Sequence, residues 1–252
     1  MSGDGDAKRN GTETAFAPYA DCLDLLVRFH DRELDADFLA GIRDNAIGDW
    51  LGEILSSRQS RDAIVGLKQA LASLPPAPGP ADYDRLAAEY AEIYLTHGYR
   101  ISPNGSVWLT EDHLERQAPM FEVRNWYRHY GVGVPDWRKR PDDHIAHQIQ
   151  FLALLLRHQS PHAAGDAARF LDANLLKWLP DFTARVAQRC KSPIYRAAAT
   201  LTAATVEEIR DILQTRAGVA RPVPEPEPKR PARATRIPGS EQPYVPGQAE
   251  SW

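Results

Sequence analysis

Apolar residues recur at intervals of three and four along most of the chain, the spacing that lines one face of an α-helix. Cys22, Leu25, Leu26 and Phe29 open the pattern. Leu39, Ile42, Ala46 and Trp50 continue it as one helix behind Asp35 and Asp37, either of which can cap it. Ile64, Leu67 and Leu71 predict a third helix, which must stop before Pro75, Pro76, Pro78 and Pro80 because proline cannot continue it. A fourth starts at Asp82 and carries Tyr83, Leu86, Tyr90 and Ile93 on one face. Thr96 to Thr110 lacks periodicity and is predicted as a loop long enough to carry function. The helical pattern returns with Val123, Trp126, Tyr127 and Tyr130, stops at Gly131, and resumes after Arg140 with Ile145, Ile149, Leu152 and Leu156. Helices over Ala163–Leu179 and Asp181–Cys190, broken at Pro180, and a last one from Pro193 to Arg216 complete the run.

Nowhere does a period-two run sit between hairpin turns, so no sheet is expected. The predicted fold class is all-α, a single helical domain of about nine or ten helices over residues 16–219. Residues 1–15 are polar and predict a disordered N-terminus. From residue 220 to 252 prolines alternate with charges, as in Pro222, Pro224, Pro226, Pro228 and Pro231, which predicts a disordered, extended tail.

Composition narrows the function classes. The chain of 252 residues is 43% hydrophobic and 25% charged, enough apolar material for a sizeable core. A formal net charge of -4 argues against a nucleic-acid partner, which calls for a basic surface. No apolar run approaches the ~18 residues of a membrane helix, and the N-terminus has no secretory pattern, so a cytoplasmic protein is expected. Cys22 and Cys190 lie far apart and outside metal-ligand spacing, which predicts free thiols.

Phosphate-binding glycine loops, nucleophile elbows and His-Glu-x-x-His helices are all missing from the sequence. What stands out is Pro141-Asp142-Asp143-His144 at a helix start. One reading makes the two carboxylates partners of the free amides of the first turn. The other turns a carboxylate and His144 outward at a loop rim, where they accept a guanidinium through charge-assisted bonds. His144 and His147 also have a spacing that suits a metal, and with Asp142 and Asp143 they permit a small metal-dependent hydrolase, although no further ligands are evident. Tyr90, Tyr94, Tyr99, Trp108, Trp126 and Tyr127 flank the irregular stretches. Most are expected in the core, with Tyr99 and Trp108 placed in the loop for recognition.

Four separated segments resemble the TorD/DmsD/NarJ family of redox-enzyme maturation chaperones. They are Glu89-Tyr90-Ala91-Glu92-Ile93-Tyr94, then Ser102 to Leu109, then Pro141 to Ala146 continued through Phe151-Leu152. The last comprises Phe170-Leu171, Trp178 to Phe182 and Ser192 to Tyr195. Gln148 and Gln150 stand where many relatives carry a Glu-x-Glu pair, and Tyr94 replaces a usual Phe. The resemblance implies a chaperone and not an enzyme, with no cofactor or metal of its own. Its implied partner is the catalytic subunit of a molybdopterin-guanine-dinucleotide oxidoreductase, bound in its apo form and by its twin-arginine leader until cofactor insertion permits export. The leader would meet Asp142, Asp143, His144 and Gln148 at the rim, and Tyr90, Tyr94, Tyr99, Trp108, Tyr127 and Phe151 in an aromatic groove.

Overall fold

The computed structural model describes residues 4–44 and 46–223, with side chains from Phe16 onward. Among the described residues the chain forms eleven α-helices, one 3-10 turn and no strand, as the helical periodicity requires. Residues 1–221 form one compact unit. A second unit, 222–252, holds most of the expected tail; its residues from 224 lie outside the described ones.

Helix α1 (Asp4–Asp31) begins within the polar stretch expected to lack structure, and packs most extensively against α8 (Ile145–Arg157). Ala20, Leu23, Leu26 and Phe29 of α1 and Ile149, Leu152 and Leu156 of α8 are buried in the same core cluster. A second layer forms where α11 (Pro193–Ala217) crosses α4 (Arg58–Ala72) and α10 (Leu179–Arg189). Of the remaining helices, α5 (Pro80–Tyr94), α6 (Gly105–Leu109), α7 (Ala118–His129) and α9 (Ala163–Ala173) complete the unit together with the 3-10 turn Leu175–Lys177.

Several boundaries differ from the sequence expectation: α6 lies inside the stretch predicted as a loop, and the helix expected to reach Leu179 ends at Ala173, before the 3-10 turn. The helix expected through Ala46 is two, α2 (Ala36–Asp44) and α3 (Ile47–Ile54), because Ala46 takes a left-handed φ of 46°. Two of the prolines read as helix breaks start helices instead. Pro80 and Pro180 occupy first turns, where the absent N–H costs no hydrogen bond. Asp82 therefore sits inside α5, accepting from the Gly79 amide at 2.9 Å.

One polar relay crosses the core. His30 is fully buried, with Nδ1 2.7 Å from the Tyr94 hydroxyl and Nε2 2.8 Å from Thr202 Oγ1. Thr202 donates its own proton to the Ala198 carbonyl, so His30 Nε2 is the donor to Thr202 and Nδ1 accepts from Tyr94. Burial pushes the His30 pKa down to about 3, which holds the ring neutral.

Candidate functional site

The Ser102–Asn104 segment that leads into α6 and the start of α8 meet in a short antiparallel bridge between Asn104 and His144. Ile145 N donates to the Pro103 carbonyl at 2.8 Å, and Gly105 N donates to the Asp143 carbonyl at 3.1 Å. One oxygen of Asp143 accepts both the amide and the hydroxyl of Ser106, each at 2.6 Å. Gln148 Nε2 donates to the Asp143 carbonyl at 2.7 Å. Gly105 is needed at this corner. A Cβ there would lie 3.0 Å from Trp178 Nε1 and 3.4 Å from Gln148 Nε2, and Trp178 is too deeply buried to yield.

His144, rather than either aspartate, caps α8, its Nδ1 accepting from Ala146 N at 3.1 Å. That bond requires an unprotonated Nδ1, and burial lowers the His144 pKa well below its ordinary value, so the ring is neutral. Asp142 is gripped in bidentate fashion by Arg124, at 2.7 and 3.2 Å, while its carbonyl accepts from the Tyr127 hydroxyl at 2.9 Å.

The outward rim expected from the sequence is therefore not formed. Asp142, Asp143, His144 and Gln148 are all buried, at 4% exposure or less. The loop folds over Asp143, and Arg124 already occupies Asp142. Asp143 Oδ1, Asn104 Oδ1, Gln148 Oε1 and Trp178 Nε1 lack hydrogen-bond partners, and burial raises the Asp143 carboxyl pKa. His147 lies beside His144, its Nδ1 3.0 Å from the Pro141 carbonyl. Among the described residues no three His, Cys, Asp or Glu side chains come together as a metal-holding group, so the hydrolase alternative finds no ligand set there.

The aromatic residues divide into three places. Tyr90 and Tyr94 stack in the core with centroids 4.6 Å apart. Tyr99, in the loop, and Trp108, on α6 and not in a loop as expected, are half-buried, Tyr99 donating to Glu89 at 2.7 Å and Trp108 to the Ser102 carbonyl at 2.8 Å. Tyr127 and Phe151 pack with ring centroids 4.8 Å apart and line a cleft of about 210 Å³ with Val132, Val134, Pro135 and Leu154. Val132, on the same cleft, is exposed apolar surface.

Sequence reasoning missed Ser106, Gly105 and Arg124 as parts of this corner. Arg124 had a signal, since it stands one helical turn before Tyr127 and so shares its face. The irregular stretches on either side of α6 also carry backbone tension, with His97, Arg100, His113 and Arg116 at φ of 53 to 61°.

A family model described as nitrate reductase delta subunit matches residues 56–184, just over half of the chain, and the matched stretch contains Ser106, Arg124, Asp142, Asp143, His144 and Gln148. Among curated proteins, a chaperone protein TorD from Vibrio vulnificus is 30% identical over 129 residues, covering 47% of this chain and 60% of its own length. One from Psychrobacter is 27% identical over 156 residues, covering 59% and 71%, and one from Vibrio cholerae is 31% identical over 137 residues, covering 51% and 62%. The chain thus spans about three fifths of the length of the first of these relatives. With more than half of its residues inside the family model and TorD relatives alongside, this chain belongs to the nitrate reductase delta subunit family, among the TorD-like chaperones.

Proposed function

We propose that this protein is a cytoplasmic maturation chaperone. It holds the apo catalytic subunit of a molybdopterin-dependent oxidoreductase, together with its twin-arginine leader, until the cofactor is inserted, and it catalyses no reaction itself. The observation that carries the reading is that the four family-like segments, far apart in sequence, interlock at one corner. Asp143 holds Ser106, Gly105 lies against Trp178, and Tyr94 faces His144 at 6.5 Å between ring centroids. Glu89 accepts the amides of Lys191 and Ser192 at 3.0 and 3.2 Å. We assign Asp142, Asp143, His144 and Gln148 the task of positioning this corner. Contact with the leader's apolar stretch falls to the adjacent cleft, where Tyr127, Val132 and Phe151 supply apolar and aromatic surface.

The test begins by identifying the client through co-purification with the full chain and mass spectrometry. Calorimetry with that client's leader is expected to give a dissociation constant in the micromolar range, about -8 kcal/mol. Val132→Asp, which puts a charge on the exposed edge of the cleft, is expected to weaken it by roughly tenfold. A client that never co-purifies, together with a leader that does not bind, overturns the proposal.

A further inference from the structure

A groove runs beside α11, on helix faces that the Asp142–His144 corner does not use. Its deeper part is a cavity of about 500 Å³, floored by Pro180, Ala184 and Ala187 from α10 and Ala203 and Ala204 from α11. A second cavity of about 590 Å³ shares Gln59 and Thr200 with it, and continues between α4 and α11 over Ala63, Gly66, Ala70 and Ala197. Along α11 the lining extends from Pro193 to Asp211, about 27 Å at the helical rise. An extended peptide of about eight residues has that length.

The two ends differ in charge. Glu207, Glu208 and Asp211 line one end, while Asp62 and Arg196 both line the other cavity. Two observations show what the acidic end accepts. Arg221 places a single guanidinium nitrogen 2.7 Å from Glu207 and 2.8 Å from Asp211, so these carboxylates are spaced for a guanidinium. The carboxylates stay 47% and 67% exposed while they do so, and an exposed pair of this kind is weak enough to exchange for another guanidinium. Glu208 is almost fully buried beside them. Its Oε1 accepts from Ser56 N at 2.6 Å and Ser56 Oγ at 3.2 Å, but its Oε2 has no hydrogen-bond partner.

We infer that this groove binds an extended, arginine-bearing peptide segment, its guanidinium groups on Glu207 and Asp211 and its small or apolar side chains over the alanine floor. Resting on the chaperone reading above, the segment is the arginine end of the client's leader. Asp142 and Asp143 are already engaged inside the protein, so the guanidinium groups need carboxylates elsewhere, and this groove supplies them. Direction follows from the excess of carboxylates at the Glu207 end, since Arg196 and Asp62 offset one another in the other cavity.

The alanine floor allows a direct test. The full chain, labelled at its alanine methyl groups, is titrated with a synthetic peptide of two arginines followed by six alanine, serine and leucine residues. A twin-lysine counterpart and the client's own leader serve as further probes. The Ala184, Ala187 and Ala203 signals are expected to shift with the arginine peptide, and Glu207→Gln combined with Asp211→Asn to weaken binding at least tenfold. The twin-lysine peptide is expected to bind several-fold more weakly, because lysine lacks the planar fork. Both substituted positions are exposed, and an unchanged melting temperature confirms that the double variant is folded. If the arginine peptide leaves these methyl groups unmoved, or the double variant binds it equally well, the inference is overturned. A leader that shifts only cleft residues such as Val132 and Leu154 overturns it too, while leaving the chaperone reading intact. Conversely, groove shifts with the arginine peptide but no co-purifying client keep the groove as a site and remove the chaperone reading.

Discussion

The corner at the start of α8 and the groove beside α11 both pair arginine with carboxylates, under opposite conditions. At the corner, Asp142 is 3% exposed and Arg124 16%, and the guanidinium closes on the carboxylate in bidentate geometry. In the groove, Arg221 is 35% exposed, and it meets two carboxylates that are themselves about half or more in water. Charges taken out of water must be satisfied within the fold, so the corner pair fixes structure. Charges left in water remain available to a partner. The Asp-Asp-His cluster that looks like a site in the sequence has become scaffold, and carboxylates on an ordinary-looking helix face have become the candidate contact.

The largest expected effect tests the buried half of this contrast. Arg124→Ala leaves Asp142 shielded and without its counter-charge, a type of change that costs roughly 3 kcal/mol or more. The loss includes the cation–π contacts of Arg124 with Phe121 and Trp137, at 5.2 and 4.5 Å. Urea unfolding of the wild type and the variant measures it. A cost below about 1 kcal/mol would place this pair with ordinary surface pairs and dissolve the comparison.

Acid is expected to strike the same buried side next. His144 touches the core relay through Tyr94, which bonds His30. His30, His144 and His147 all have pKa values lowered by burial, from an ordinary 6.5 to about 3 for His30. A histidine whose folded pKa lies below its unfolded pKa binds fewer protons when folded, so stability falls as pH drops below 6.5. At about 1.4 kcal/mol per pH unit, His30 alone predicts a loss of roughly 2 kcal/mol between pH 7 and pH 5. Asp143 works in the other direction, because its raised pKa costs stability as pH rises above its ordinary 3.8. The urea midpoint measured at pH 7 and pH 5 decides the sign. A midpoint that holds or rises on acidification would mean that these rings are not held neutral.

The helices were legible because a 3.6-residue period survives local irregularity, and α5, α7, α8 and α11 follow their predicted apolar faces. The division between α2 and α3 was not legible, since it rests on one left-handed alanine that no glycine or proline announces. Asp142, Asp143 and His144 stood out in the sequence, yet their burial did not. It depends on Arg124, 18 residues away, and on Ser106, 37 residues away. The groove was invisible for a different reason. Glu207, Glu208 and Asp211 read as the solvated face of any surface helix, and only the crossing of α4, α10 and α11 gives them a cavity. All of α11 also lies beyond the residues matched by the family model, so that match offered no pointer to it.

The smallest expected effect belongs to Arg221→Ala, and its smallness is what makes it informative. Removing an exposed arginine from two half-solvated carboxylates costs at most about 1 kcal/mol, because water replaces the lost partner on both sides. The backbone just before it does not depend on that contact. Fully buried Arg210 donates to the carbonyls of Val219 and Ala220 at 2.9 and 3.0 Å, and is itself clamped by Asp172 at 2.7 and 2.8 Å. The melting temperature of the variant should therefore stay within a few degrees of the wild type. Its affinity for the twin-arginine peptide should rise several-fold, because the competing guanidinium is gone. A fall in melting temperature as large as that of Arg124→Ala would make Arg221 a structural latch, and the groove would then belong with the corner as scaffold. A stable variant with unchanged affinity would mean that the peptide does not use these carboxylates.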